Sequence, residues 1–398
     1  VVGGSLAGLR ACEMLRTEGY QGAITLVGAE AHLPYDRPPL SKKLLAGEWE
    51  PDRILLRPPD AINELGLDLR LGVPAVALDP DASAVELADG TTVPYRGLVI
   101  ATGSAPRRLA GQEDVATVHE LRTLDDALRL RPHLADGTAR VVLIGAGFIG
   151  LEVAATAHAK GCSVTVLEGL DAPLGRGLGA EMGTLAAAAL VEAGIDLRCG
   201  VTVAGLAEDG VTLADGGVVP ADVIVVGIGV APATGWLESS GLELRDGVVC
   251  DPTLATPLPG VFAAGDLARW PNELYGEEMR IEHWTNAAEQ GAHAARNLLA
   301  VLEGGTPVPY TPVPFVWSDQ HRHRIQVLGR PATTAADRVE VVVGDPAAHR
   351  FLAFYGRGDR LWGVLGVNVP RLVMAYRRPL ADRVSWDDAL ALATTQRT

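Results

Sequence analysis

Two clusters of small residues carry the chemistry most readily read from this chain. Gly3-Gly4-Ser5-Leu6-Ala7-Gly8 follows the apolar pair Val1-Val2, and Gly145-Ala146-Gly147-Phe148-Ile149-Gly150 follows Val141-Val142-Leu143-Ile144. A strand-to-helix turn of this kind binds a dinucleotide. The first glycine permits the bend, a small second residue lets the backbone approach a pyrophosphate, and the third lets helix and strand pack closely. The phosphates then meet free N–H groups at the positive end of the helix. Two such turns, each followed by a second strand ending in an acid, call for two dinucleotides, one a bound redox cofactor and the other exchangeable.

The acids have their own task. Ile24-Thr25-Leu26-Val27 leads to Glu30 and Val164-Thr165-Val166-Leu167 to Glu168, each about 20 residues or a little more beyond its turn. A carboxylate there accepts hydrogen bonds from the ribose hydroxyls and repels a 2′-phosphate, so Glu168 favours NAD over NADP. Ser5 stands where the second glycine is usual; it is small enough to leave the pyrophosphate room, and its hydroxyl can donate to it. For either motif alone, a tight turn that binds nothing is the competing reading.

These turns require strands and helices to hold them. Ala7, Ala11, Met14 and Leu15 recur at helical spacing after the first turn, and Ile149, Val153, Thr156 and Ala157 after the second, giving each helix one face for a sheet. The first dinucleotide domain reads as residues 1–115 and resumes at 233–310, with Leu98-Val99-Ile100, Gly260 to Asp266 and a helix over Asn286 to Leu302. The second, 116–232, is inserted in it and closes on Val223 to Gly229. After a proline-rich connector, 311–398 forms an α+β domain in which Val339 to Val343, Arg350 to Tyr355 and Leu361 to Val367 read as strands, with a helical tail from Val369. The fold class is therefore α/β, with two Rossmann-like domains and a C-terminal α+β domain.

Composition narrows the function. The 398 residues are 48% hydrophobic, ample for several buried cores, and 34 basic against 49 acidic side chains give a formal charge of −15. That balance argues against nucleic acid or an anionic membrane as partner. The longest apolar stretches, such as Val218 to Ala231, fall short of a membrane span, no signal-peptide pattern is visible, and a cytoplasmic protein is the expectation. Because the chain opens directly on a strand, a few residues are expected to precede Val1. Cys12, Cys162, Cys199 and Cys250 form no C-x-x-C pair, so no internal redox dithiol is expected. The nine histidines form no metal-binding set; His321 and His323 belong on a solvated strand or loop.

With these residues in hand, the chain resembles the flavoprotein disulfide-reductase superfamily, and within it the NADH-dependent ferredoxin reductases of bacterial oxygenase systems. The resemblance covers essentially the whole chain and rests on Pro34-Tyr35-Asp36-Arg37-Pro38-Pro39-Leu40-Ser41-Lys42, Ala101-Thr102-Gly103, Ala264-Gly265-Asp266 and Phe315-Val316-Trp317-Ser318-Asp319-Gln320. It implies tightly bound FAD, exchangeable NADH/NAD+, and a ferredoxin as partner. It places FAD against Gly3, Ser5, Leu6, Ala7, Gly8, Glu30, Arg37, Lys42, Val76, Ala101, Thr102, Gly103, Arg122, Gly265, Asp266 and Trp284, with Asp266 on the ribityl chain. It places NAD against Gly145, Gly147, Ile149, Gly150, Glu152, Glu168 and Gly229. Lys42 is implied beside the isoalloxazine, and Glu152 near the nicotinamide and able to pair with that lysine. Without the surrounding motif they read as an ordinary surface lysine and a helix-surface acid. Two departures stand out. Ala29 replaces an acid common in relatives, leaving the ribose contact to Glu30, and His321-Arg322-His323-Arg324 replaces an aromatic-glycine step.

Hydride transfer between nicotinamide and flavin needs no protein nucleophile; the protein orients the cofactors and sets the charge around them. Since no dithiol is available to receive the electrons, single-electron transfer to an iron–sulfur protein is the leading reading. A rubredoxin reductase shares nearly every motif, and a flavoprotein with a redox-regulated binding role keeps both turns. A flavin peroxidase or coenzyme A disulfide reductase needs a reactive cysteine where Ser41, Lys42 and Lys43 stand. Trp284 matches a position next to FAD, whereas Trp317 is more readily a core tryptophan. The 321–324 run is the most compact basic cluster near the expected electron exit, a docking face or a solvated strand whose arginines balance the acidic surface.

Overall fold

The first glycine turn hangs from a parallel sheet. Val2 bridges Val27 on one side and Ile100 on the other. Ile24–Gly28 pairs onward with Leu67–Leu71, and Leu98–Ile100 with Val261–Ala263, all parallel. The second turn follows the central strand of an equivalent five-stranded sheet, ordered Asp196–Arg198, Ser163–Leu167, Arg140–Ile144, Val223–Val226, Val118–His119. The central strands Arg140–Ile144 and Val223–Val226 are short, rich in Val, Ile and Leu and almost wholly buried, as parallel strands covered on both faces must be. In each sheet the glycine turn lies at the carboxyl end of its strand, where doubly wound folds bind ligands.

The computed structural model describes residues 1–331 and 338–395. It comprises two units: one of residues 1–36, 54–105 and 231–312, the other of 37–53, 106–230 and 313–398. In the first, helix Leu6–Thr17 lies against helix Trp284–Leu302, and Gly291 meets the Ala7 backbone so closely that an added Cβ would sit 2.1 Å from its carbonyl oxygen. In the second, the core of the parallel sheet (Val141, Leu143, Val166) is continuous with that of a C-terminal sheet (Ile325, Phe351, Leu365). No helix of the described residues is long and apolar enough to cross a membrane.

Two expectations need correction. The C-terminal sheet has five antiparallel strands, not three: Phe315–Gln320 and His323–Gly329 extend it, in the order Phe315–Gln320, His323–Gly329, Arg360–Val367, Arg350–Arg357, Arg338–Asp345. The polar residues Ser318, Asp319, Gln320 and Gln326 had hidden the strand pattern. Helix Phe148–Ala159 also lacks the predicted single apolar face. Ile149 is 46% exposed while Gly150, Leu151, Ala154 and Ala155 are buried, because this helix is covered by its sheet and, on another side, by the 38–41 turn and strand Phe315–Gln320.

Candidate functional site

In the first unit, Gly3 has φ +127 and an added Cβ would meet the Ala101 carbonyl at 2.0 Å; Gly8 approaches the Gly3 carbonyl as closely. Ser5 caps helix Leu6–Thr17 by position only, its side chain making no capping hydrogen bond, which leaves the first-turn N–H groups available. Leu6, Ala7 and Gly8 form that first turn and are buried. Glu30 follows strand Ile24–Gly28 and accepts a hydrogen bond from the Tyr35 hydroxyl. Ala101 donates its N–H to Val2, while Thr102 Oγ1 and the Gly103 carbonyl bind the Ala233 backbone at 2.8 and 2.9 Å. Val76, on strand Ala75–Asp79, is 49% exposed.

Asp266 is held from three directions. Ser104 Oγ donates to its Oδ2 at 2.7 Å, Arg280 donates to its carbonyl at 2.9 Å, and the preceding Gly265 N–H is taken by Gln290 Oε1 at 2.8 Å. Trp284 opens helix Trp284–Leu302 half-buried, with its Nε1 donating to Asp36 at 2.6 Å.

The second unit repeats the geometry of the first glycine turn. Gly145 has φ +107, and an added Cβ would meet the Gly227 carbonyl at 2.4 Å; at Gly150 it would meet the Gly145 carbonyl at 2.3 Å. Gly147 differs, because a Cβ there would meet nothing within 4 Å. Glu168 lies back over this turn: its carboxylate accepts the Ala146 N–H at 2.6 Å and the Leu170 N–H at 2.9 Å. Ile149 is exposed beside the turn, and Gly229, at φ +103, lies near the Arg176 guanidinium.

Lys42 and Glu152 meet in the same unit. Lys42 Nζ lies 2.6 Å from Glu152 Oε2, and the carboxylate also accepts from Ser41 Oγ at 2.6 Å and from Ser318 Oγ at 2.7 Å. Thr156 Oγ1 grips the Ser41 carbonyl at 2.7 Å, tying the 38–42 turn to the helix that carries Glu152. Arg37 donates to the Arg122 carbonyl, and Asp126 accepts the N–H groups of Arg122 and Thr123 at 3.0 and 2.8 Å. Three of the residues assigned to FAD by resemblance, Arg37, Lys42 and Arg122, thus belong to the second unit and the others to the first.

Several of these partners escaped the sequence reading. Ser104, Ser318, Tyr35 and Asp126 lie on or beside recognised segments, but a hydroxyl or carboxyl of this kind gives no signal until its target is known. Trp317 is not a core residue: it is half-exposed and stacked on Phe315, with ring centroids 6.0 Å apart. The reason is strand alternation, which buries Ser318 and Gln320 and turns 315, 317 and 319 to the other side. In the 321–324 run, Arg324 is held bidentately by Asp319 at 2.6 and 2.9 Å, and His321 stands edge-on to His158. Burial and neighbouring histidines hold His321 and His323 below the usual imidazole range. Arg322 remains exposed, with no ion-pair partner among the described residues.

The cysteines offer no redox centre. Burial pushes Cys12 up to about 11 and Cys250 to about 12, and it also raises Cys162 and Cys199, so none is a thiolate nucleophile at neutral pH. No group of three or more metal-ligating side chains occurs among the described residues.

The glycine turns fit two dinucleotides. No protein atom demands a glycine at 147, so the open space over it suits a pyrophosphate, and both helices present N–H groups with no side-chain cap. Comparison with known proteins agrees with that chemistry. Residues 1–291 match the family pyridine nucleotide-disulphide oxidoreductase, and residues 315–397 match the reductase C-terminal family. The chain is 40% identical to rhodocoxin reductase of Rhodococcus erythropolis over 96% of its length and 88% of that protein. It is 38% identical to the ferredoxin–NAD(+) reductase component of the p-cumate 2,3-dioxygenase system of Pseudomonas putida, over 97% of this chain and 94% of that one. Among solved structures, the covalent putidaredoxin reductase–putidaredoxin complex superposes with a TM-score of 0.91 at 33% identity, covering 100% of this chain and 97% of the other.

Proposed function

The chain belongs to the pyridine nucleotide-disulphide oxidoreductase family, and from that premise we propose that it is an FAD-dependent NADH:ferredoxin oxidoreductase whose ferredoxin supplies an oxygenase, either a haem monooxygenase or a Rieske dioxygenase. FAD, when bound, would supply the redox chemistry, namely hydride acceptance from NADH and release of single electrons. The protein's residues bind, orient and set charge. We assign the FAD domain to residues 1–115 and 233–310, the NAD domain to 116–232 and the α+β domain to 311–398. Asp266, held by Ser104, would grip the ribityl chain; Glu30 and Glu168 would accept from the two adenosine riboses; Lys42, paired with Glu152, would place its ammonium beside the isoalloxazine. A cytoplasmic location, where NADH is generated, completes the proposal.

The observation that carries it is the state of the cysteines. A family built to move electrons through a thiolate pair here has four thiols, all with raised pKa and no C-x-x-C pair, so the electrons leave for an outside carrier. The test is NADH-driven reduction of plant-type, three-iron and four-iron bacterial ferredoxins and a rubredoxin, with cytochrome c as terminal acceptor. Fast reduction of at least one ferredoxin is expected. Reduction of rubredoxin alone would make the protein a rubredoxin reductase, and reduction of neither would reject electron transfer to small iron proteins.

A further inference from the structure

Glu152 is 6% exposed, and its carboxylate is satisfied by residues more than 100 positions away on either side in sequence. The donors divide between its oxygens. Ser41 and Lys42, from the 38–42 turn, both meet Oε2, whereas Oε1 has, among the described residues, Ser318 alone, from strand Phe315–Gln320. Lys42 is the only charged group in contact with the carboxylate among the described residues.

Ser318 is itself wholly buried, and so is Gln320, which donates its amide to Ser318 Oγ at 3.2 Å. That donation fixes the direction of the chain of bonds. With Oγ already accepting from Gln320, the hydroxyl hydrogen is directed to Glu152. Without that hydroxyl, the buried Oε1 loses the one donor it has among the described residues, and the carboxylate is free to turn away from Lys42.

We infer that Ser318 is a positioning residue for the Lys42–Glu152 pair: its hydroxyl holds Glu152 Oε1, so that Oε2 faces Lys42. The C-terminal sheet thereby contributes to the redox centre without supplying a group that touches cofactor. The inference rests on the proposed placement of Lys42 and Glu152 beside the cofactors.

The experiment records the flavin absorbance spectrum and midpoint potential of the FAD-loaded protein in parent and Lys42→Met backgrounds. Ser318→Ala is expected to move both in the parent background, and Ser318→Thr, which restores a hydroxyl, to return them close to the parent values; in the Lys42→Met background, with no ammonium to position, Ser318→Ala should move neither. Ser318→Cys, a weak donor of similar size, should fall between and serves if the alanine variant does not fold. Parent values in the alanine and cysteine variants, equal displacement by alanine and threonine, or the same displacement in both backgrounds would overturn the inference. Lys42→Met alone separates the two claims: if it leaves spectrum and potential unchanged, the placement of the pair beside the flavin fails and the inference with it, whereas if it moves them and Ser318→Ala does not, only the role of Ser318 fails.

Discussion

Ser104 donates a hydrogen bond of 2.7 Å to the carboxylate of Asp266, joining the end of one segment of the first parallel sheet to a turn 162 residues later. Both follow adjacent strands, Leu98–Ile100 and Val261–Ala263, so the pairing of those strands brings the hydroxyl to the carboxylate. Asp266 is thereby held in one orientation before any ligand arrives, which lowers the ordering cost of binding.

The first prediction follows from that link. A hydrogen bond to a charged group contributes about 1.5–3 kcal/mol, so Asp266→Ala is expected to weaken FAD binding roughly ten- to a hundred-fold. Ser104→Ala should produce a smaller loss, because the carboxylate remains but is free to turn. Titration of apoprotein with FAD, read by flavin fluorescence, measures both. Unchanged affinity in Asp266→Ala would remove this residue from the flavin site.

Glu168 has two tasks, so its variants should separate. Glu168→Ala is expected to lower kcat/KM for NADH about ten-fold and to narrow the preference over NADPH by removing the repulsion of a 2′-phosphate. Glu168→Gln, which keeps an acceptor for the Ala146 N–H but loses the charge, should retain more NADH activity while still losing discrimination. Stopped-flow flavin reduction with each nucleotide provides the comparison. Equal efficiencies with NADH and NADPH in the parent would show that the carboxylate does not select.

The docking prediction narrows to one arginine. Residues 313–398 hold 12 arginines against 8 acidic side chains, in a chain whose formal charge is −15, so an acidic ferredoxin meets its most favourable charge there. Charge within a Debye length, about 8 Å at physiological salt, governs encounter. Arg322 is exposed and without an ion-pair partner among the described residues, while Arg324 is neutralised by Asp319. Arg322→Glu should therefore raise the apparent KM for ferredoxin and flatten its salt dependence, with NADH-to-ferricyanide activity unchanged; Arg324→Ala should do less. Ferredoxin kinetics identical to the parent at every ionic strength would move the docking face elsewhere.

A fourth prediction concerns acid stability. Burial, reinforced by the charges of His133 and Arg129, lowers His119 to about 4, and its Nε2 is buried with no hydrogen-bond partner among the described residues. The ring is neutral in the fold, whereas the unfolded chain takes up a proton near the ordinary imidazole value of about 6.5. Stability is thus fully present above pH 6.5 and declines as pH falls toward 4, by roughly 1–2 kcal/mol once solvent screening of a partly buried ring is allowed for. His119→Leu should flatten this decline in thermal melts between pH 7.5 and 5. An unaltered pH slope would mean that other groups dominate.

The sequence by itself determined what is local. Gly3, Gly8, Gly145 and Gly150 mark backbone approaches that admit no Cβ, and the strands and acids that follow lie within single βαβ units, so spacing along the chain suffices to locate both glycine turns and the acids beside them. The strands Val339 to Val343, Arg350 to Tyr355 and Leu361 to Val367 were legible for the same reason, being apolar and bounded by turns. Only the tertiary structure decided which hydroxyls serve which carboxylates. Ser318 reaches Glu152 across 166 positions and Ser104 reaches Asp266 across 162, distances at which contact depends on strand pairing and helix packing, not on spacing. The same holds for Trp317 and Arg324. Alternation along strand Phe315–Gln320 buries Ser318 and Gln320 while keeping Trp317 half-exposed, and the hairpin register that sets Asp319 opposite Arg324 neutralises half of what reads in the sequence as a basic patch.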